Sequence, residues 1–305
     1  MLVASHSFFS TIPAPFSAAG WVQADDSTFG TSNVNAVTAS DSLNYVAVGN
    51  QGKIAYSSDG GAVWAAATSP FGESNLYAIA YGDGKYVAGG STGKVATSAD
   101  GQNWTLYSSG FGASPVLGIT YFDIANLWIA VGGSGKLATS TNGTTWTLRT
   151  SSFSTTFINS VYSSTSLAVA VGYDGKLATS TNGVDWTQRN SSFVFDTIFD
   201  VTYNQINDLY VAVGDFGKAA TSTDALSWTQ VFPNTSFGSS SIKTISTSGD
   251  FYVAGGSLGK IATSTNANSW IQRTSSFETT TVNQIYATET TAVAVGDEGK
   301  IAYSV

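Results

Sequence analysis

Apolar and polar positions alternate along the chain in short runs of four to six residues, each closed by Gly, Asn, Asp or Ser. Residues 158–189 show the pattern well. Ile158–Tyr162 and Leu167–Val171 read as two strands, followed by Leu177–Ser180 and Trp186–Arg189. Alternation with period two and β-branched enrichment favour strands, and the Gly, Asn and Ser clusters mark the turns between them. No stretch sustains a 3.6-residue apolar period, so almost no helix is expected.

The four-strand unit recurs. Gly-Lys pairs place lysines at Lys53, Lys94, Lys136, Lys176, Lys218, Lys260 and Lys300, spaced 40–42 residues apart. Trp21, Trp64, Trp104, Trp146, Trp186, Trp228 and Trp270 form a second series, and Trp128 stands outside it. Phe29, Phe71, Phe111, Phe153, Phe193, Phe237 and Phe277 form a third. Seven copies of four short strands predict an all-β fold, a seven-bladed β-propeller over residues 20–305. The seventh copy has three strands near Val282–Tyr286, Ala292–Val295 and Ile301–Val305, and then the chain ends. Its missing strand is Gly20-Trp21-Val22-Gln23, so the N-terminal strand is expected to complete the last blade and remove two sheet edges.

Composition narrows the chemistry. The 305 residues carry only 10% charged side chains, with 43 Ser and 38 Thr supplying polarity instead. A net charge of −8 argues against a nucleic-acid partner held through phosphates. With no Cys and one histidine, His6, disulfides, thiolate metal sites, a multi-His centre and a Ser-His-Asp triad all fall away, and no cofactor is expected. No apolar run is long enough for a membrane-spanning helix.

Two turn motifs define each copy. Val-Gly-x-x-Gly-Lys joins the second and third strands, and a type I turn with the glycine left-handed is expected there. The seven lysines either form an anion-binding ring or pack along exposed strand starts, and their presence in every copy favours packing. The third and fourth strands are joined by turns such as Ser57-Ser58-Asp59-Gly60-Gly61-Ala62-Val63-Trp64 and Ser140-Thr141-Asn142-Gly143. This motif resembles the Asp-box, or BNR repeat, of sialidase-like propellers, where the box is a structural staple. The rhythm is also similar to that of photosystem II assembly factor propellers. Those carry an arginine patch, whereas this chain has Arg149, Arg189 and Arg273 alone. A sialidase would converge three arginines on its substrate. These three occupy one equivalent outer-strand position, so no enzyme activity is expected.

Departures from the repeat mark the candidate sites. The Gly-x-x-Gly tips hold Tyr173-Asp174, Asp215-Phe216 and Asp297-Glu298 in copies four, five and seven, a set of aromatics and carboxylates suited to sugar rings. Asp200 and Lys243, on first strands of adjacent copies, are expected to form a partly buried ion pair. The phenylalanine series reads as inter-blade packing. Met1–Ala19 reads as a separate apolar arm that lacks the basic start of a secretory signal and would either dock onto other subunits or pack along the propeller bottom. The hydroxyl-rich surface, regular repeats and arm look like propellers of phage virions. That likeness implies a virion or extracellular-surface protein recognising host envelope glycans, with a purely structural scaffold and a glycoside-acting enzyme as the alternatives.

Overall fold

A computed structural model describes residues 20–231 and 235–304, and the expected arm at residues 1–19 lies outside them. The described residues form seven four-stranded antiparallel sheets. In the fourth, Ile158–Ser163, Ala168–Gly172, Lys176–Ser180 and Thr187–Asn190 lie side by side in chain order from the inside out. The ring closes as expected. Val22–Gln23 pairs with Ile301–Ser304, with Val22 opposite Tyr303, and the Ala24 N–H reaches the Ile301 carbonyl at 2.9 Å. The chain is a seven-bladed β-propeller.

The second strand of each blade is apolar on both faces because neighbouring blades cover both. Tyr45–Gly49, Ala168–Gly172 and Ala292–Gly296 are buried along their whole length. Between blades sit the phenylalanines, all seven buried. Each lies in the loop entering the next blade. At five of the seven junctions a hydroxyl two residues before the phenylalanine donates to the glycine carbonyl of the preceding blade's Gly-Lys pair, among them Ser109 to Gly93 at 2.9 Å, Ser151 to Gly135 at 2.6 Å and Thr235 to Gly217 at 2.8 Å. The following blade's lysine then donates to the phenylalanine carbonyl, Lys53 to Phe29 at 2.7 Å and Lys176 to Phe153 at 2.9 Å. Lys136, Lys260 and Lys300 do the same. Lys94 reaches Ser74, and Lys218 pairs with Asp196. The lysines are therefore staples whose ammonium groups are already bonded, rather than an open anion-binding ring.

The Ser-x-Asp/Asn turns are equally regular. Asp100 Oδ1 accepts the N–H groups of Gln102 and Asn103, and Trp104 Nε1 donates to Gly101 at 3.0 Å. Asn142 and Trp146 repeat the arrangement in the third blade.

The Gly-Lys turn differs from the expected type. Both Thr92 (φ 57°) and Gly93 (φ 64°) are left-handed, and all seven copies place a non-glycine residue at this first left-handed position. This is a type I′ tip, whose twist matches that of the flanking strands, whereas a type I turn would splay them.

Thr92 is β-branched and pays for its left-handed backbone. Thr92→Asn is expected to raise stability by about 1 kcal/mol in urea titration. Phe153→Ala, which empties an inter-blade wedge, is expected to lower it by about 3–5 kcal/mol in the same assay.

Candidate functional site

The seven inner strands surround a central channel of about 530 Å³. Each inner strand bulges once near the tip face, and the bulge residue lines the mouth. Those residues are Asn35, Tyr77, Leu117, Asn159, Phe199, Lys243 and Asn283. The asparagines tie blades together by donating to the next inner strand: Asn35 to Leu76 at 2.7 Å, Asn159 to Ile198 at 2.9 Å and Asn283 to Val34 at 3.0 Å.

The bulge also corrects the expected Asp200–Lys243 pair. Lys243 is the bulge residue of blade six, equivalent to Phe199 rather than to Asp200, which stands one position deeper. Lys243 Nζ lies 3.3 Å from the centroid of the Phe199 ring, a cation–π contact. Burial lowers the Lys243 pKa, and the Asp215 carboxylate opposes that shift. Asp200 binds elsewhere: Oδ1 accepts Ser160 Oγ at 2.8 Å and its neighbour Val201 N–H at 2.9 Å, while Oδ2 accepts the Ile245 N–H at 3.0 Å. It therefore links blades four, five and six. Loss of hydration deep in the channel raises its pKa to about 6 against these bonds. Farther down, Tyr162 and Tyr286 extend from blades four and seven. Burial pushes the Tyr162 hydroxyl up to about 12, and Tyr286 adds to the rise.

The six tip residues divide by position. The first of each pair is held by a neighbouring side chain. Tyr173 stacks on Phe157 at 5.6 Å, Asp215 accepts Ser241 Oγ at 2.9 Å, and Asp297 accepts Asn283 Nδ2 at 3.0 Å. The second, Asp174, Phe216 and Glu298, is the exposed left-handed tip. Tyr173, Asp174, Asp215 and Phe216 share one sector of adjacent blades, whereas Asp297 and Glu298 lie beyond blade six. Sequence reading missed the apolar residues around that sector: Phe157, Phe195 (83% exposed), Val194 and Leu258. The signal for Phe195 was present, since equivalent loop positions hold Thr31, Glu73, Ala113, Thr155, Ser239 and Thr279.

The chemistry of catalysis is sparse. Arg149, Arg189 and Arg273 lie on outer strands, as expected, and their Nε atoms donate to Thr139, Thr179 and Thr263 at 2.8–2.9 Å. Asp200 is the one carboxylate lining the channel among the described residues. No group of three or more His, Asp or Glu among the described residues is placed to hold a metal ion. No helix among them is long and apolar enough to cross a membrane.

No family model and no curated protein matches the chain. Solved structures of the same fold do. YCF48 bound to a D1 peptide is 15% identical, with a TM-score of 0.70 over 97% of this chain and 98% of that one. The WD40 propeller domain of Doa1 is 11% identical, with a TM-score of 0.71 over 94% and 97%. A catalytically inactive virginiamycin B lyase from Staphylococcus aureus with quinupristin is 12% identical, with a TM-score of 0.78 over 93% and 98%. At these identities the likeness shows the fold. That fold serves a lyase as well as a peptide-bound propeller.

Asp200 gives the stability a pH signature. Its folded pKa lies above the unfolded carboxyl value of about 3.9, so its contribution is fully present below that value and lost as pH rises through about 6. Asp100, held well below the usual carboxylate range by the Asn103 and Gln102 N–H groups, acts in the opposite sense and only in acid. Unfolding free energy from urea titration should fall by about 1–2 kcal/mol between roughly pH 5 and 7.5. Asp200→Asn should abolish that fall and leave the acid limb in place.

Proposed function

We propose that this chain is a non-catalytic interaction module that docks a protein partner on the tip face over blades four to six. The observation that carries this reading is the apolar sector itself. Val194, Phe195, Phe216 and Leu258 are 58–83% exposed, and the Phe157–Tyr173 stack adjoins them. Large exposed side chains clustered on one sector of an otherwise hydroxyl-rich ring mark a contact surface. An extended segment with apolar side chains suits them. A propeller of the same fold with a peptide bound supports this reading.

A host-surface glycan is the second reading, favoured by the Tyr173–Phe157 stack beside the exposed Asp174 carboxylate. A virion or extracellular-surface setting, with residues 1–19 as an arm onto neighbouring subunits, belongs to this second reading.

Panning a random-peptide display library and an envelope polysaccharide panel against the chain separates the two. Enrichment of apolar peptides, lost in Phe195→Ser/Phe216→Ser and kept in Asp297→Ala/Glu298→Ala, is the expected result. Saturable polysaccharide binding lost in Asp174→Ala, without peptide enrichment, would replace the first reading with the second.

A further inference from the structure

The apolar sector over blades four to six is uncovered among the described residues, and the chain itself leaves the ring at the sector's edge. Trp21 packs against the core at the junction of blades six and seven, which includes Val253, Ile261 and Phe277. Gly20, just before it, lies beside the end of the outer strand of blade six, where an added Cβ would stand 3.9 Å from the Thr274 carbonyl oxygen. Ser275, the residue after Thr274, donates its hydroxyl to the Gly259 carbonyl. Gly259 adjoins Leu258, the blade-six member of the sector, which is 58% exposed. The segment before Gly20 therefore joins the ring next to Leu258, at the tip end of blade six.

The nineteen residues before Gly20 have the chemistry of a cover. They contain no Asp, Glu, Lys or Arg, and they include Phe8, Phe9, Ile12 and Phe16. An uncharged segment can settle on apolar side chains without stripping water from an ion. Pro13 and Pro15 disfavour helix, and in extended backbone Phe8, Ile12 and Phe16 fall on one side because side chains alternate. Reach is ample. Phe16 stands four positions from Gly20, about 13 Å of extended chain, and the whole segment can span roughly 60 Å. Attachment beside the target matters as much as composition. A tethered segment meets its target at a local concentration of roughly millimolar, whereas a second copy must supply the same segment at its bulk concentration.

We propose, resting on the reading of this sector as a contact surface, that residues 1–19 fold back over the tip face of their own ring and occupy it. Phe8, Ile12 and Phe16 then lie against Phe195, Phe216 and Leu258. The chain's own segment is the resident occupant, and an external apolar partner must displace it.

The chain has no cysteine, so Ser10→Cys carries a single nitroxide spin label. Amide NMR of the isotopically labelled full chain should show the Phe195, Phe216 and Leu258 resonances broadened, to an extent unchanged by dilution. Adding Phe8→Ser/Ile12→Ser/Phe16→Ser should restore them. An apolar peptide from the display library should bind the triple variant about tenfold more tightly than the unsubstituted chain, about nine-tenths of which is self-occupied. Broadening elsewhere on the ring, or none, would overturn the proposal, while peptide capture at Phe195 and Phe216 would leave the contact surface standing. Broadening that fades on dilution would overturn it in favour of a second copy as the donor. Broadening at the sector with no peptide captured by either chain would uphold the self-docked segment and remove the external partner.

Discussion

The ring depends on how each blade grips the loop that leads into the next. A propeller blade is a sheet with both faces apolar, and its neighbours must cover it. A phenylalanine wedge supplies that cover at every junction, but its loop would carry backbone carbonyls into a buried place. The serine or threonine two residues earlier and the lysine of the following blade resolve this by binding the loop from opposite sides. One charged hydrogen bond to a carbonyl is worth more than a neutral one. Repetition of these bonds at most of the seven junctions then makes the grip a property of the whole ring. Closure by Val22–Gln23 adds the last strand to a sheet whose other three strands come from the far end of the chain.

That economy decides which residues remain available for function. Lysines, the carboxylates of the Ser-x-Asp turns, asparagines at the mouth and most hydroxyls near the junctions are bonded to backbone or to each other. A feature present in all seven blades has therefore been used by the scaffold. What is left is local to a few blades: the apolar tips and loops over blades four to six, and Lys243 with Phe199.

Much of this was legible from residues alone. Three marker series with one period gave blade number, strand order and closure, and the position three residues past each tryptophan separated the arginines correctly. Two readings failed for a shared reason. The Gly-Lys tip was read as one left-handed residue, and Asp200 was paired with Lys243. Both errors concern where a single residue enters or leaves strand register. The hydrophobic alternation that identifies a strand does not record a bulge, yet one bulge moves Lys243 into line with Phe199 and leaves Asp200 a position deeper. Phe195 lies in the loop beside the Gly-x-x-Gly tips, and that loop departs from the repeat just as sharply as the tips do.

The same bulge organises both the mouth and the wall below it. It turns one residue of each inner strand toward the mouth and leaves the next to bridge neighbouring blades below. In blades four, five, six and seven those bridging residues are Ser160, Asp200, Thr244 and Gln284, and the wall there is closed by side-chain bonds. In blades one, two and three they are Ala36, Ala78 and Gly118, which carry no polar side chain to reach the next blade. The exposed aromatic sector sits above the closed side. A symmetric ring has thus been divided into a half bridged by side-chain bonds inside and apolar outside, and a half lined inside by small residues. Close packing accounts for the smallest of the three, because a Cβ on Gly118 would lie 2.9 Å from Val131 Cγ2 and 3.2 Å from both the Ser160 Cα and the Val161 nitrogen. Where the inner strands of adjacent blades approach this closely, backbone contact takes the place that a bridging side chain holds on the other half of the ring.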